Sequence, residues 1–426
     1  MPPDITFRPK IIIPDIAKES LKRVGESVLR NLVFHLGLME IPSYWKATCS
    51  PSIVIEAGYL TQEQMHWWKD LILEGMGEFF FQNRIDFTKP DFLSLACSHA
   101  PEPQSAYEKP LQERAIVPVG GGKDAAVTLE LLKNSKMDIR SFMLNPKKEQ
   151  LALARISKTA NALVAKRTID PKLLELNQQG YLNGHTPFSA YLAFITALEA
   201  ALFDYKYIAL SNERSSNEGN VEYLETTINH QYSKSFEFEK KFREYSKAYL
   251  ANDLEYFSFL RPLYELQIAK LFSRYPKYFP AFLSCNEAHK TISGIRKPTG
   301  KWCARCPKCL FVFLALYPFV GKAKLENIFK KNLFEDLSLV PLAEELLGLR
   351  NFKPFECVGT EQESRAALLL SLKAEKGNMP KLLAYFAKRM PKDSPDPQHI
   401  LRAWNNKHFL PSQFTEILKK AIDETV

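Results

Sequence analysis

Ala115-Ile-Val-Pro-Val-Gly-Gly-Gly-Lys-Asp-Ala-Ala-Val-Thr-Leu129 is the stretch whose reading decides the fold. Ile116, Val117, Pro118 and Val119 have strand character and run straight into Gly120, Gly121 and Gly122. Lys123 and Asp124 follow, and apolar residues of helical spacing begin at once with Ala126, Val127, Leu129 and Leu132. Glycines admit positive φ and let backbone N–H groups approach a ligand without interference from Cβ. A loop that opens onto a helix N-terminus also offers amide donors and the favourable end of the helix dipole to an anion. Three glycines followed by Lys-Asp exceed what a tight βα turn requires. Phosphate binding by Gly120, Gly121, Gly122, Lys123 and Asp124 is therefore expected.

The spacing does not fit the GxxxxGK[ST] loop. It resembles the PP-loop of ATP pyrophosphatases, usually SGGxDS, which holds the pyrophosphate of ATP while an acceptor oxygen is adenylated. Gly120 stands at the first serine position and Ala125 at the last, so one hydroxyl donor is replaced by methyl.

Outward from this loop, strand-type runs at 139–144, 162–167 and 207–211 alternate with helical patterns at 125–134, 148–159, 171–178 and 187–203. Such alternation predicts an α/β fold with a parallel sheet and covering helices. The resemblance implies the PP-loop, adenine nucleotide alpha hydrolase-like version of it. Ligands in such sheets lie beyond the carboxyl ends of the strands. The polar, proline-bearing segment 101–113 marks a boundary. We read an N-terminal α+β domain over 1–112, the PP-loop domain with a cysteine knuckle over 113–320, and a helical C-terminal region over 321–426. In the first of these, a strand is expected at 5–13 and helices at 17–38 and 62–82. The Gly75-Met-Gly77 interruption in the last helix suggests close backbone approach to the next domain.

Other segments carry chemistry. Ser211, Asn212, Glu213 and Arg214 end a strand on the same side as the glycine loop, which points to ligand contact. Asn183-Gly-His185-Thr-Pro187 enters a helix, with Thr186 as the expected N-cap and Pro187 at the first position. Asn229-His230-Gln-Tyr-Ser-Lys234 packs an imidazole, two amides, a phenol, a hydroxyl and an amine ahead of a long amphipathic helix. Cys303-Ala-Arg-Cys306-Pro-Lys-Cys309 supplies three thiolates suited to tetrahedral zinc. Cys285 is the natural fourth ligand and Cys357 the reserve. Four thiolates would make the site closed and structural; a Cys285 outside the metal site would become a candidate acid/base.

Composition sets limits. The 426 residues are 46% hydrophobic and 25% charged, enough for large cores. Net charge is +9 but dispersed, without the basic block of a nucleic-acid tail, so an anionic small substrate is expected and no nucleic-acid partner. The longest apolar run, 310–320, is too short for a bilayer, so membrane insertion is not expected. The start MPPDITFRPK lacks signal-peptide character and seven cysteines suit a reducing compartment; a cytoplasmic protein is expected.

Taken together, SYWKA, GMGEF, VGGGKDA, LNQQG-x2-NGH, SNERS, NHQYSK, SFLRPL-x-EL, SCN, WCARCPKCLFVFLAL, KPFECVG and ESRAA, in order from about residue 43 to 367, are similar to the ATP-dependent UDP-N-acetylmuramoyl-L-alanyl-L-glutamate epimerases of peptidoglycan synthesis. The resemblance implies ATP, magnesium and a nucleotide-sugar dipeptide, with AMP and diphosphate released through an acyl adenylate. It makes Lys123 and Asp124 catalytic at the phosphates. His230 stands first for proton transfer, with His185, Lys234 and Cys285 behind it. Arg214, Arg261 and Asn229 are the expected substrate contacts. A cysteine knuckle after a PP-loop also resembles deazaguanine-synthesis and tRNA-modifying enzymes, but the missing basic block and the SNERS and NHQYSK segments count against that reading.

Overall fold

The computed structural model describes residues 5–424 except 101–103, 136, 160 and 351, so the start of the expected linker lies outside the described residues. Ten strands are present among them: β1 Lys10–Ile12, β2 Ser52–Ile55, β3 Ser94–Cys97, β4 Ala115–Pro118, β5 Ile139–Leu144, β6 Leu163–Thr168, β7 Tyr207–Glu213, β8 Val221–Tyr223, β9 Thr226–Ile228 and β10 Glu255–Leu260. Six of them form the central sheet, in the order β1-β6-β5-β4-β7-β10. Strands β6, β5, β4, β7 and β10 are mutually parallel, and β1 closes one edge antiparallel to β6. The expected α/β fold with a parallel sheet and covering helices is what forms.

The strands alternate between two cores, as the period of two requires. From β4, Ala115 and Val117 enter one core while Ile116 enters the other; Tyr207 and Ala209 of β7 likewise oppose Ile208 and Leu210. One face carries helices Lys123–Asn134, Glu265–Ser273 and Pro307–Val320 together with the C-terminal helices. The opposite face carries the N-terminal helices, Phe188–Phe203 and Phe236–Tyr249. Both faces are thus covered, as a parallel sheet needs.

Several local expectations shift. The helix expected over 62–82 divides into Gln62–Gly75 and Gly77–Asn83, because Met76 leaves helical geometry. The glycines on either side are in close contact with the central unit: a Cβ on Gly75 would sit 2.8 Å from Pro187, and one on Gly77 3.2 Å from Ile228. Helix Phe188–Phe203 begins one residue later than expected, with Pro187 preceding it and no side-chain cap from Thr186. Strand β10 was not anticipated. Its Tyr256, Phe257, Ser258, Phe259 and Leu260 are all buried, so it lacks the alternation that marks a half-exposed strand. The C-terminal region also holds a helix at Pro397–Arg402, capped by Asp396.

Candidate active site

The chain passes from β4 outward to β5 and β6, then returns to place β7 on the other side of β4. The carboxyl end of β4 is therefore a topological switch point, where α/β sheets open a crevice. A cleft of about 380 Å³ lies there, walled by the ends of β4, β5 and β7. The glycine loop forms its floor. Gly121 adopts φ +87°, and a Cβ there would lie 2.7 Å from Glu149 Cγ. Its carbonyl accepts a 2.9 Å hydrogen bond from the Leu283 N–H. Gly120 faces open space, so a side chain would fit there. Phe142, Leu144 and Leu192 supply an apolar wall, with the half-exposed Phe188 beside it. Ser211 lines the same cleft, and its buried Oγ has no hydrogen-bond partner within the chain.

Charge is concentrated at the glycine end. Lys123, expected at the phosphates, is only 1% exposed and lies behind the surface. Its ammonium pairs with Asp124 at 2.5 Å and with Glu265. The cations that line the cleft are instead Lys147, Lys234, Lys308 and, when protonated, His289. Lys308 lies 3.4 Å from Glu265, and His289 2.9 Å from Glu149. Burial pushes the Glu265 carboxyl up, but the ammoniums of Lys123 and Lys308 outweigh it and hold it down to about 2. Glu213 has no such direct partner: burial, then repulsion from Glu265 and Asp124, carries it up to about 7. Asp124 is raised by burial and by Glu265, against the pull of Lys123.

Three expected substrate contacts take other positions. Arg261 is fully buried, and its guanidinium donates to the Glu213 carbonyl (2.8 Å), Ser216 Oγ (2.6 Å), the Lys234 carbonyl and Ser258 Oγ, and pairs with Glu239 at 2.9 Å. It is a strut between the β7 and Lys234 segments and cannot clamp a ligand. Arg214 turns away from the cleft and lies over the Tyr264 ring at 4.3 Å. Asn229 spends its side chain on backbone groups, donating to the Ser216 carbonyl and accepting from the Gln231 N–H.

At the far end of the cleft, Lys234 and Cys357 reach the surface together, Nζ and Sγ 3.0 Å apart. His230 lies behind Cys357, its Nε2 4.0 Å from Sγ. His185 is the next ring, 6.2 Å from His230 and 3.4 Å from Glu78. Both imidazoles are held down to about 3, by burial first and then, for His185, by His230 and Lys234, and for His230 by Lys234, Lys353 and Lys308. Sequence reasoning did not anticipate Glu265, Lys308 or a cleft role for Cys357. The first two stood inside the quoted SFLRPL-x-EL and CPKC stretches, but nothing in their spacing marks a cleft.

Cys285, Cys303, Cys306 and Cys309 come together as expected, all four sulfurs within 4.8 Å of one another. The Cys285–Cys306 and Cys303–Cys309 separations are 3.8 and 3.7 Å. A tetrahedral ion with metal–sulfur bonds of about 2.3 Å spaces its thiolates about 3.8 Å apart, so the cluster fits a metal of that kind. Its neighbours Ser284, Asn286 and Lys308 line the cleft, so the knuckle also shapes the ligand site. No helix among the described residues is long and apolar enough to cross a membrane.

Comparison with known proteins agrees in both halves of the chain. The MurL N-terminal domain matches residues 2–259 and the MurL C-terminal domain residues 281–400. The UDP-N-acetyl-alpha-D-muramoyl-L-alanyl-L-glutamate epimerase of Xanthomonas oryzae pv. oryzae is 37% identical over 335 residues, covering 78% of this chain and 73% of the relative. Epimerases of the same name from a Micromonospora species and from Salinispora tropica are 36% and 35% identical, each over 77% of this chain and over 72% and 70% of their own lengths.

Proposed function

This chain belongs to the MurL family of UDP-N-acetyl-alpha-D-muramoyl-L-alanyl-L-glutamate epimerases, and from that premise we propose that it inverts the terminal L-Glu of UDP-MurNAc-L-Ala-L-Glu to D-Glu at the expense of ATP, through an acyl adenylate, on a PP-loop fold. The observation that carries the reading is a single cleft holding a glycine loop at a β-strand switch point and, at its other end, the Lys234–Cys357–His230 cluster. Phosphate handling and proton transfer then share one substrate.

The α-proton beside a carboxylate is very weakly acidic, because its removal sets two negative charges side by side. Adenylation of that carboxylate removes one charge and makes the acyl group an electron sink. A modest base can then take the proton, and reprotonation from the other face inverts the centre. In this reading the amides of Gly120 to Gly122 with Lys147 and Lys308 hold the polyphosphate, while Phe142, Leu144 and Phe188 form a slot for a nucleobase. Asp124 and Glu213 are the oxygen donors that would hold magnesium, whose charge would relieve their mutual repulsion. The four-cysteine cluster would hold zinc in a structural role. Hydrolysis of the acyl adenylate releases the epimerised dipeptide and AMP, in the cytoplasm, where this precursor chemistry is expected to run.

Incubation with ATP, magnesium and UDP-MurNAc-L-Ala-L-Glu in deuterated water tests the reading. It should yield AMP, pyrophosphate and the D-Glu epimer, with one solvent deuteron at the glutamate α-carbon. Dipeptide-dependent AMP formation without deuterium or D-Glu would reject it and leave an adenylate-forming ligase.

A further inference from the structure

We infer that Cys357 is the group that takes the glutamate α-proton, with its sulfur set between Lys234 and a His230–Asn220 pair; this rests on the epimerase reading above. Four other cysteines satisfy the metal cluster, so Cys357 is not needed there. Its sulfur lines the cleft, whereas His230 is 7% exposed and meets the cleft only through that sulfur.

Asn220 fixes the arrangement. Its Nδ2 donates to the Pro354 carbonyl at 2.9 Å, which makes Oδ1 the acceptor. That oxygen receives the His230 backbone N–H at 3.0 Å and the ring Nδ1 at 2.8 Å. The ring proton therefore sits on Nδ1, and Nε2 presents its lone pair to the thiol. The Asn220 carbonyl also accepts the Lys353 N–H at 3.1 Å. One buried asparagine thus registers the segment carrying Cys357 against the loop carrying His230. In the thiol form the S–H can donate to the Nε2 lone pair, so His230 and its orienting amide position the sulfur, while Lys234, 3.0 Å away, is the charge that favours its ionisation.

The local charges favour a thiolate. Burial pushes the Cys357 thiol up, but Lys234 and Lys308 more than offset it, so it ionises below the usual thiol range. His230, held down to about 3, is too weak a base to carry a proton near neutrality. In the step, the Cα–H bond breaks and its electron pair enters the adenylated acyl group. The proton bonds to Sγ and gives the neutral thiol. Water in the open cleft then protonates the opposite face of Cα, and the resulting hydroxide takes the thiol proton, restoring the thiolate and the water.

The test compares the parent with Cys357→Ala, His230→Ala and the double variant, with ATP, magnesium and UDP-MurNAc-L-Ala-L-Glu in deuterated water. Cys357→Ala should still release AMP in response to the dipeptide, while α-deuterium incorporation falls at least about 100-fold. His230→Ala should slow incorporation on its own but add nothing in the Cys357→Ala background, since it acts through the thiol. Incorporation within tenfold of the parent in Cys357→Ala would overturn the assignment. So would loss of AMP release along with exchange, which would place Cys357 in adenylation or folding. A glutamyl adduct on the Cys357 peptide in acid-quenched parent enzyme would overturn it too, in favour of a thioester. A parent that forms neither AMP nor D-Glu would instead sink the epimerase reading itself.

Discussion

Lys123→Met probes whether Lys123 is a buried partner of Glu265. In the parent, Glu265 is 1% exposed and carries its charge because Lys123 pairs with it directly and Lys308 lies 3.4 Å away. Glu265 is held at about 2 against an ordinary 4.5, which at about 1.4 kcal/mol per unit corresponds to roughly 3 kcal/mol of stability at neutral pH. Because the folded pKa is depressed, this stabilisation is complete above about pH 4.5 and disappears as pH falls through about 2. Methionine removes the nearer ammonium and leaves a buried carboxylate half compensated, a change that costs about 3–5 kcal/mol in typical buried pairs. With roughly 2.1 cal/mol/K per residue of unfolding entropy, a chain of 426 residues melting as one unit would lose about 3 °C or more.

The assay is thermal unfolding of the parent, Lys123→Met, Glu265→Gln and the double variant at pH 7, repeated toward pH 3. The double variant should be less damaged than the two single losses added together, because the directly paired Lys123 and Glu265 are removed as a unit and neither is left buried facing a missing partner. The difference between parent and Lys123→Met should narrow below pH 4.5, to roughly half or less by pH 3. A Lys123→Met protein that melts within 1 °C of the parent at pH 7, or additive losses in the double variant, would refute a buried strut and return Lys123 to the phosphates.

Three further outcomes are expected. Freshly purified protein should carry one zinc per chain, and Cys303→Ser should lose metal and stability together, because structural zinc binding is coupled to folding; metal analysis and melting check this. Ala125→Ser should keep or raise dipeptide-dependent AMP release, by up to about 1.5–3 kcal/mol of added stabilisation if the hydroxyl meets a charged phosphate oxygen; a steady-state AMP assay decides it. Arg261→Met should destabilise by about 3–5 kcal/mol, since it leaves Glu239 buried without its partner, and chemical denaturation would expose a neutral result.

The middle strands of the sheet were legible because strand-type runs alternate with helical patterns, and the glycine loop because a strand running into three glycines and Lys-Asp leaves a local trace. The cysteine cluster was legible because three of its four ligands share seven residues. What escaped were contacts made by side chains far apart in sequence. Lys123, at the start of a helix, and Arg261, at the end of a strand, stand in motifs with every mark of ligand contact, yet they pair with Glu265 and Glu239, 142 and 22 residues away. Burial cannot be seen in a five-residue motif. Strand β10 escaped as well: from Tyr256 on it is buried throughout, as β4 is, but no glycine loop follows to mark it.

The two ends of the cleft are held by different means, and this bears on how the two proposed half-reactions could share it. The glycine-loop end hangs on strand termini in the middle of the sheet and on the knuckle, through the Leu283–Gly121 hydrogen bond. The Cys357 end hangs on a loop from the C-terminal region. Asn220 clamps it on one side, and on the other Gly359 packs so closely that a Cβ would come 2.4 Å from the Phe311 ring. Phe311 belongs to helix Pro307–Val320, whose first turn supplies Cys309 and Lys308. The four-cysteine cluster, Lys308 and the Cys357 segment are thereby referred to one helix. A proton-transfer group must meet Cα within a fraction of an ångström, whereas polyphosphate tolerates more latitude. In the proposed reaction, packing the Cys357 loop against the helix that carries Lys308 would hold the thiol in register with the acyl group adenylated at the glycine-loop end.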